Sequence, residues 1–198
     1  MRAPACAPLL LGLVLLPATN VAGSLQFRPR PVTLSQARQV ITSVRDDLVD
    51  ILWWQAPIVG DQGTFKDVVK VCDLVVRLDP TFIEPHATGA WLTWNENDTP
   101  GAIARYRAGI AANPNHWQLY HELGLLYMRA VHDPAAALPY LKRAVELPSP
   151  MFARHSYAHC LEKLGRKAEA LAVWKEVLKA CPTDLVAPGR IARLSAER

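Results

Sequence analysis

Apolar residues recur at steps of three and four along most of the chain, the spacing that places them on one face of an α-helix. The first such run is Leu34, Ala37, Val40, Ile41, Val44, Leu48, Ile51 and Leu52. It opens behind Thr33-x-x-Gln36, a capping box in which the threonine serves an orphan N–H of the first turn. The run predicts a helix to about Ala56, closed by Pro57. Turn-forming residues continue to Gly63, and Thr64 is the expected cap of a helix over 65–78. Later runs predict helices over 82–96, 100–112, 116–130, 134–147, 150–164 and 167–180. A short amphipathic helix is expected from Pro188 to Glu197, with Ile191 and Leu194 on one side. Thr99 and Asn115 read as N-caps, Asp133-Pro134 and Ser149-Pro150 as helix openings, and Gly165 as a C′ stop. No segment alternates with period two for long enough to make a strand, so the expected class is all-α.

A longer rhythm lies over these helices. Pro80, Pro114, Pro148 and Pro182 are spaced 34 residues apart, and each closes an apolar run. Proline has no N–H to donate and disfavours helix in the residue before it, so these are recurring stops. A period of this length means one supersecondary unit stacked on copies of itself. The interiors agree. Leu123-Gly124-x-x-Tyr127 in one first helix corresponds to Tyr157-Ala158-x-x-Leu161 in the next. The second helices carry Ala102-Ile-x-x-Tyr106, Ala137-Leu-x-x-Leu141 and Ala170-Leu-x-x-Trp174, followed by Gly109, Ala144 and Val177.

This pattern resembles the tetratricopeptide repeat family. The resemblance implies a right-handed solenoid of antiparallel helix pairs over 33–182. Its repeats fall at about 49–80, 82–114, 116–148 and 150–182, and residues 183–198 form a C-terminal capping helix. The first repeat departs most from the pattern, because Pro57 is expected to cut its first helix short. The loop within 82–114 is expected to be one residue longer than usual, and 116–148 to hold one extra residue near Val131. Leu52-Trp53-Trp54 also gives the chain a loose resemblance to small exported bacterial repeat proteins.

At 198 residues and 51% hydrophobic, the chain is long enough to bury a core. Its first 23 residues read as a secretory signal: Arg2, an apolar stretch from Leu9 to Leu16, then Val21-Ala22-Gly23 before Ser24. The expected location is therefore exported, periplasmic or extracellular and bacterial, with no stable membrane span after cleavage. Residues 24–32, with two prolines and no periodicity, are expected to be an extended linker. The net charge of +4 is spread along the chain without a basic run, which argues against a nucleic-acid partner. Beyond the signal, Cys72, Cys160 and Cys181 are odd in number and loosely spaced. They read as packing residues, not as a disulfide framework or a zinc site.

Catalytic signatures are missing: there is no Gly-x-Ser-x-Gly elbow, Gly-rich phosphate loop, His-Glu-x-x-His or Cys-x-x-Cys. The expectation is a non-enzymatic protein without a cofactor. In stacks of this kind the first helices line the concave binding face. Counting three residues back from the small residues Ala56, Gly89, Gly124 and Ala158 gives Trp53, His86, His121 and His155. His159 lies one turn beyond His155. Trp91 and Trp94 flank the groove or pack between repeats, Leu125 and Met128 belong to its next unit, and Gln118 and Glu162 stand at its margins. Histidines and tryptophan occupy the places where some tetratricopeptide domains clamp a carboxylate with lysines and asparagines. Such a groove suits a protein or peptide segment with apolar anchors. The alternative is a metal or small ligand held by the histidines, with His155, His159 and His121 as ligands. Failing a metal, the row His86, His121 and His155 is expected to make the groove sensitive to pH between about 7.5 and 5.5.

Overall fold

The computed structural model describes residues 33–196. The expected signal at 1–23 and linker at 24–32 lie outside the described residues. The first helix, α1, runs Leu34–Gln62, and its capping box forms: Gln36 N–H donates to Thr33 Oγ1 at 3.2 Å, and Thr33 N–H to Gln36 Oε1 at 2.9 Å. Pro57 does not end this helix, contrary to expectation. An interior proline costs roughly 3 kcal/mol, but the turn that carries it is held by packing. Ala56 is buried against α2, and Val59 packs beside Val68 and Cys72. Gly63 N–H then closes the helix on Val59 O at 2.8 Å.

Helix α2 is Phe65–Leu78, α3 Ile83–Asn95, α4 Thr99–Ala112 and α5 Trp117–Leu126. Beyond it come α6 at Pro134–Glu146, α7 at Met151–Lys163, α8 at Lys167–Ala180 and α9 at Ala187–Ala196. No strand occurs among the described residues. The second helices α2, α4, α6 and α8 each end two residues before one of the in-step prolines.

Two caps differ from expectation. Asp98, not Thr99, caps α4, accepting from Gly101 N–H at 2.9 Å, and α5 starts after His116 without a side-chain cap at Asn115. Asp133 caps α6 as expected. Gly165 has φ +71° and ends α7 in a Schellman motif: its N–H reaches Glu162 O, and Arg166 N–H reaches Leu161 O.

The connection within 82–114 is not longer than its counterpart: α3 to α4 and α7 to α8 are both bridged by three residues. The extra residue of the third unit is real, but it does not sit in a loop. Tyr127–Val131 forms a π-helical turn that continues α5, with His132 left-handed at φ 58° and Asp133 N–H returning to Tyr127 O at 2.9 Å.

Each helix packs on the next, and first helices also touch one another, α3 on α5 and α5 on α7. That layer is the inner one. Gly124 lets α5 and α6 meet: a Cβ there would lie 2.6 Å from Leu141 Cγ. Leu119, Leu123, Leu141 and Tyr106 fill the centre of the stack. Trp174, Leu161 and Leu194 form a second core under α9.

Candidate functional site

The inner layer is cleft between α3 and α5. Trp91 and Trp94, three residues apart, share one face of α3, and Tyr106 closes the floor from α4. Across the gap α5 supplies Glu122, Leu125 and Leu126 and the π-helical turn after it Arg129, enclosing about 140 Å³. Tyr106 is buried, while Trp91 is 49% exposed at the rim. Among the described residues Glu122 has no hydrogen-bonding or ion-pair partner, and burial raises its pKa against the opposing pull of Arg129. The cleft therefore offers an aromatic wall, an aliphatic wall and one half-buried carboxylate.

Three of the expected groove residues meet here: Trp91, Trp94 and Leu125. Glu122 and Arg129 were not expected, although they lie three before and four after Leu125 on the same helical face. Trp53 lines a separate cavity with Pro57, Phe65 and Leu92, and packs edge-on against Phe82 at 5.4 Å. Met128 packs against the central core, and Gln118 is half-buried on the first turn of α5.

The histidine row needs correcting. His86 is buried, its Nε2 2.9 Å from Pro80 O and its Cβ against Gly109. His121 is 4% exposed, lies 5.3 Å from the Phe152 ring and places Nε2 2.9 Å from Ser156 Oγ. Both pack between neighbouring units and do not line the groove. A shared register fixes their place in the repeat, but the helix rotation turns their rings toward neighbouring repeats, the preceding one for His86 and the next for His121. Burial pushes the His121 imidazole down to about 4, so it remains neutral from pH 7.5 to 5.5. The expected pH response cannot come from it.

His155 and His159 bracket Trp174, with ring centroids at 5.2 and 5.1 Å. His155 Nε2 is 2.9 Å from Asp184 Oδ2, and burial lowers the pKa of His159. Glu162 lines a cavity with His159, Arg190 and Arg193. It is a largely buried hub that accepts from Trp174 Nε1 at 2.7 Å and from Arg190 at 3.3 Å, and it pairs with Arg193. These contacts fasten α9 to the stack. Among the described residues no group of three or more His, Cys, Asp or Glu is placed to hold a metal, so the histidine-ligand alternative has no site here. Cys72 and Cys160 are buried, with thiols pushed up to about 11 by desolvation.

No protein-family profile matches the chain. Over 84 residues it is 33% identical to DnaJ homolog subfamily C member 3 of Rattus norvegicus, a match covering 42% of this chain but 16% of that protein. Solved structures resemble it more broadly. YrrB, described as a TPR protein with an unusual peptide-binding site, superposes with TM-score 0.57 at 22% identity, over 72% of this chain and 73% of its own. PilF of Pseudomonas aeruginosa gives 0.61 at 15% identity, over 77% and 70%. MamA of Desulfovibrio magneticus RS-1 gives 0.60 at 13%, over 76% and 85%. At these identities the likeness establishes the fold: a tetratricopeptide-type solenoid.

Proposed function

We propose that this tetratricopeptide-type solenoid is an exported interaction scaffold, acting by binding and not by catalysis, that holds a segment of a partner protein in the α3–α5 cleft. The observation that carries the reading is the half-exposed Trp91 beside Leu125 and the unpartnered Glu122. A large aromatic at a concave rim is the type of residue that dominates binding energy at interfaces. An apolar side chain of the partner would fill the space between Trp94 and Leu125. A lysine, arginine or other donor beside it would satisfy Glu122, which feels the charge of Arg129 but makes no hydrogen bond or ion pair among the described residues. Export rests on the charged, apolar and small-residue order of residues 2–23.

The reading is tested with peptides selected from a random library on the immobilised chain, their affinities measured by tryptophan fluorescence. Trp91→Ala and Leu125→Glu should each weaken the selected peptides by about tenfold or more. Lys175→Glu, on the exposed face of α8, should leave them unchanged. Loss of affinity in all three variants alike would place the binding surface elsewhere.

A further inference from the structure

The N-terminal half of α1 reaches past α2, and its apolar residues have no cover among the described residues. Leu34 is 81% exposed, Ile41 68% and Ile51 58%. Leu34, Ala37, Ile41, Val44, Leu48 and Ile51 follow steps of 3, 4, 3, 4 and 3. That is a strict heptad seam with a period of 3.5, narrower than the stripe of a helix facing a globular core. The face that α1 turns to α2 carries Val49, Trp53 and Ala56. At 100° per residue this face lies about a third of a turn from the seam, so both faces can be occupied at once.

We propose that α1 pairs with α1 of a second copy of this chain, as a two-stranded coiled coil through this seam. A heptad seam is complementary to another of its kind, and a two-fold pair needs only one surface meeting itself. The size fits. The seam with its flanking Val40 and Trp54 exposes on the order of 800 Å² per copy, so pairing would remove up to about 1,600 Å², the area of a standard stable interface. Helical stability in proteins comes mostly from packing of an apolar face, and the pairing supplies that packing to the exposed half of α1. Charge disfavours a lipid surface as the occupant. Residues 34–51 hold Arg38 and Arg45 against Asp46, Asp47 and Asp50, whereas interfacial helices carry an excess of lysine and arginine.

The test is sedimentation equilibrium on the intact chain from 1 to 100 µM, with Ile41→Glu and Val44→Glu as seam variants and Gln39→Glu on the opposite face. The wild type and Gln39→Glu should form dimers. Each seam variant should raise the dimer dissociation constant by at least about 100-fold, because two carboxylates would enter a dry contact. Near-ultraviolet dichroism of the buried Trp174 reports that the solenoid is intact in every variant. A wild type monomeric throughout the range would overturn the proposal, as would seam variants that dimerise like wild type or an assembly larger than two. Wild-type monomer that instead sediments with phosphatidylglycerol vesicles would overturn it in favour of a lipid occupant.

Discussion

Acidification from pH 7 to pH 5 should destabilise the fold by about 2 kcal/mol through His121 alone. Ser156 Oγ gives its single hydrogen to Phe152 O at 3.2 Å, so His121 Nε2 must be the donor in the 2.9 Å contact with Ser156. Nδ1 is left buried and without a partner. A second proton would have to go there, onto a nitrogen facing no acceptor, with Arg129 adding repulsion. The folded pKa is accordingly about 4, against about 6.5 in the unfolded chain. The unfolded state therefore binds the proton first as pH falls. The stabilisation is complete above 6.5, declines from there, and is lost once the folded form also titrates near 4. At about 1.4 kcal/mol per pH unit, the interval from 6.5 to 5 gives the quoted figure. Urea titrations at both pH values, on wild type and His121→Gln, isolate the effect from other titrating groups. The glutamine amide can still donate to Ser156. His121→Gln should be less stable at pH 7, from lost contact with Phe152 and Trp117, yet lose about 2 kcal/mol less than wild type on going to pH 5. Equal acid losses in the two proteins would refute the assignment of a neutral, buried imidazole.

Gly124→Leu should lower stability by about 1–3 kcal/mol, because the new side chain must displace Leu141, itself fully buried; an unchanged melting temperature would show that the α5–α6 contact is looser than described. Glu162→Ala should release α9 from the stack, since Arg190, Arg193 and Trp174 all use that carboxylate. Trypsin should then cut after Arg190 and Arg193 about fivefold faster, the change expected from losing about 1 kcal/mol of docking energy. Wild-type cleavage rates in the variant would mean that Ala187 and Leu194 hold the helix unaided.

The helices and their order were legible because two independent rhythms agreed: apolar steps of three and four, and prolines 34 residues apart. Pro57 was misread because a local rule was applied where packing decides; Ala56 and Val59 hold the helix across the proline. The histidines share a repeat position, but a position in the register does not say whether a side chain meets solvent or the next unit. His86 meets Pro80 at the end of the preceding unit, and His121 meets the next unit. Trp91, Trp94 and Leu125 line one cleft, and counting from the small residues places them on the first helices. Glu122 was within reach of the same counting, but a carboxylate on an amphipathic helix is ordinarily solvated, and only the walls of the cleft make it half-buried. The stripe on α1 was visible from its spacing. What the spacing could not reveal is that no other part of the described chain covers it.

The π-helical turn at Tyr127–Val131 changes how this array can tolerate added length. An inserted residue in a stacked array would ordinarily rotate every later helix by about 100° relative to its neighbours. Here the surplus residue is absorbed within one widened turn. Helix α6 starts one residue late, yet it ends in phase, and Pro148 and Pro182 keep their stations. The disturbance is thus confined to a single joint. The widened turn and a helix one residue shorter than α4, 13 against 14, cancel within one unit, so the helices after it keep their stacking.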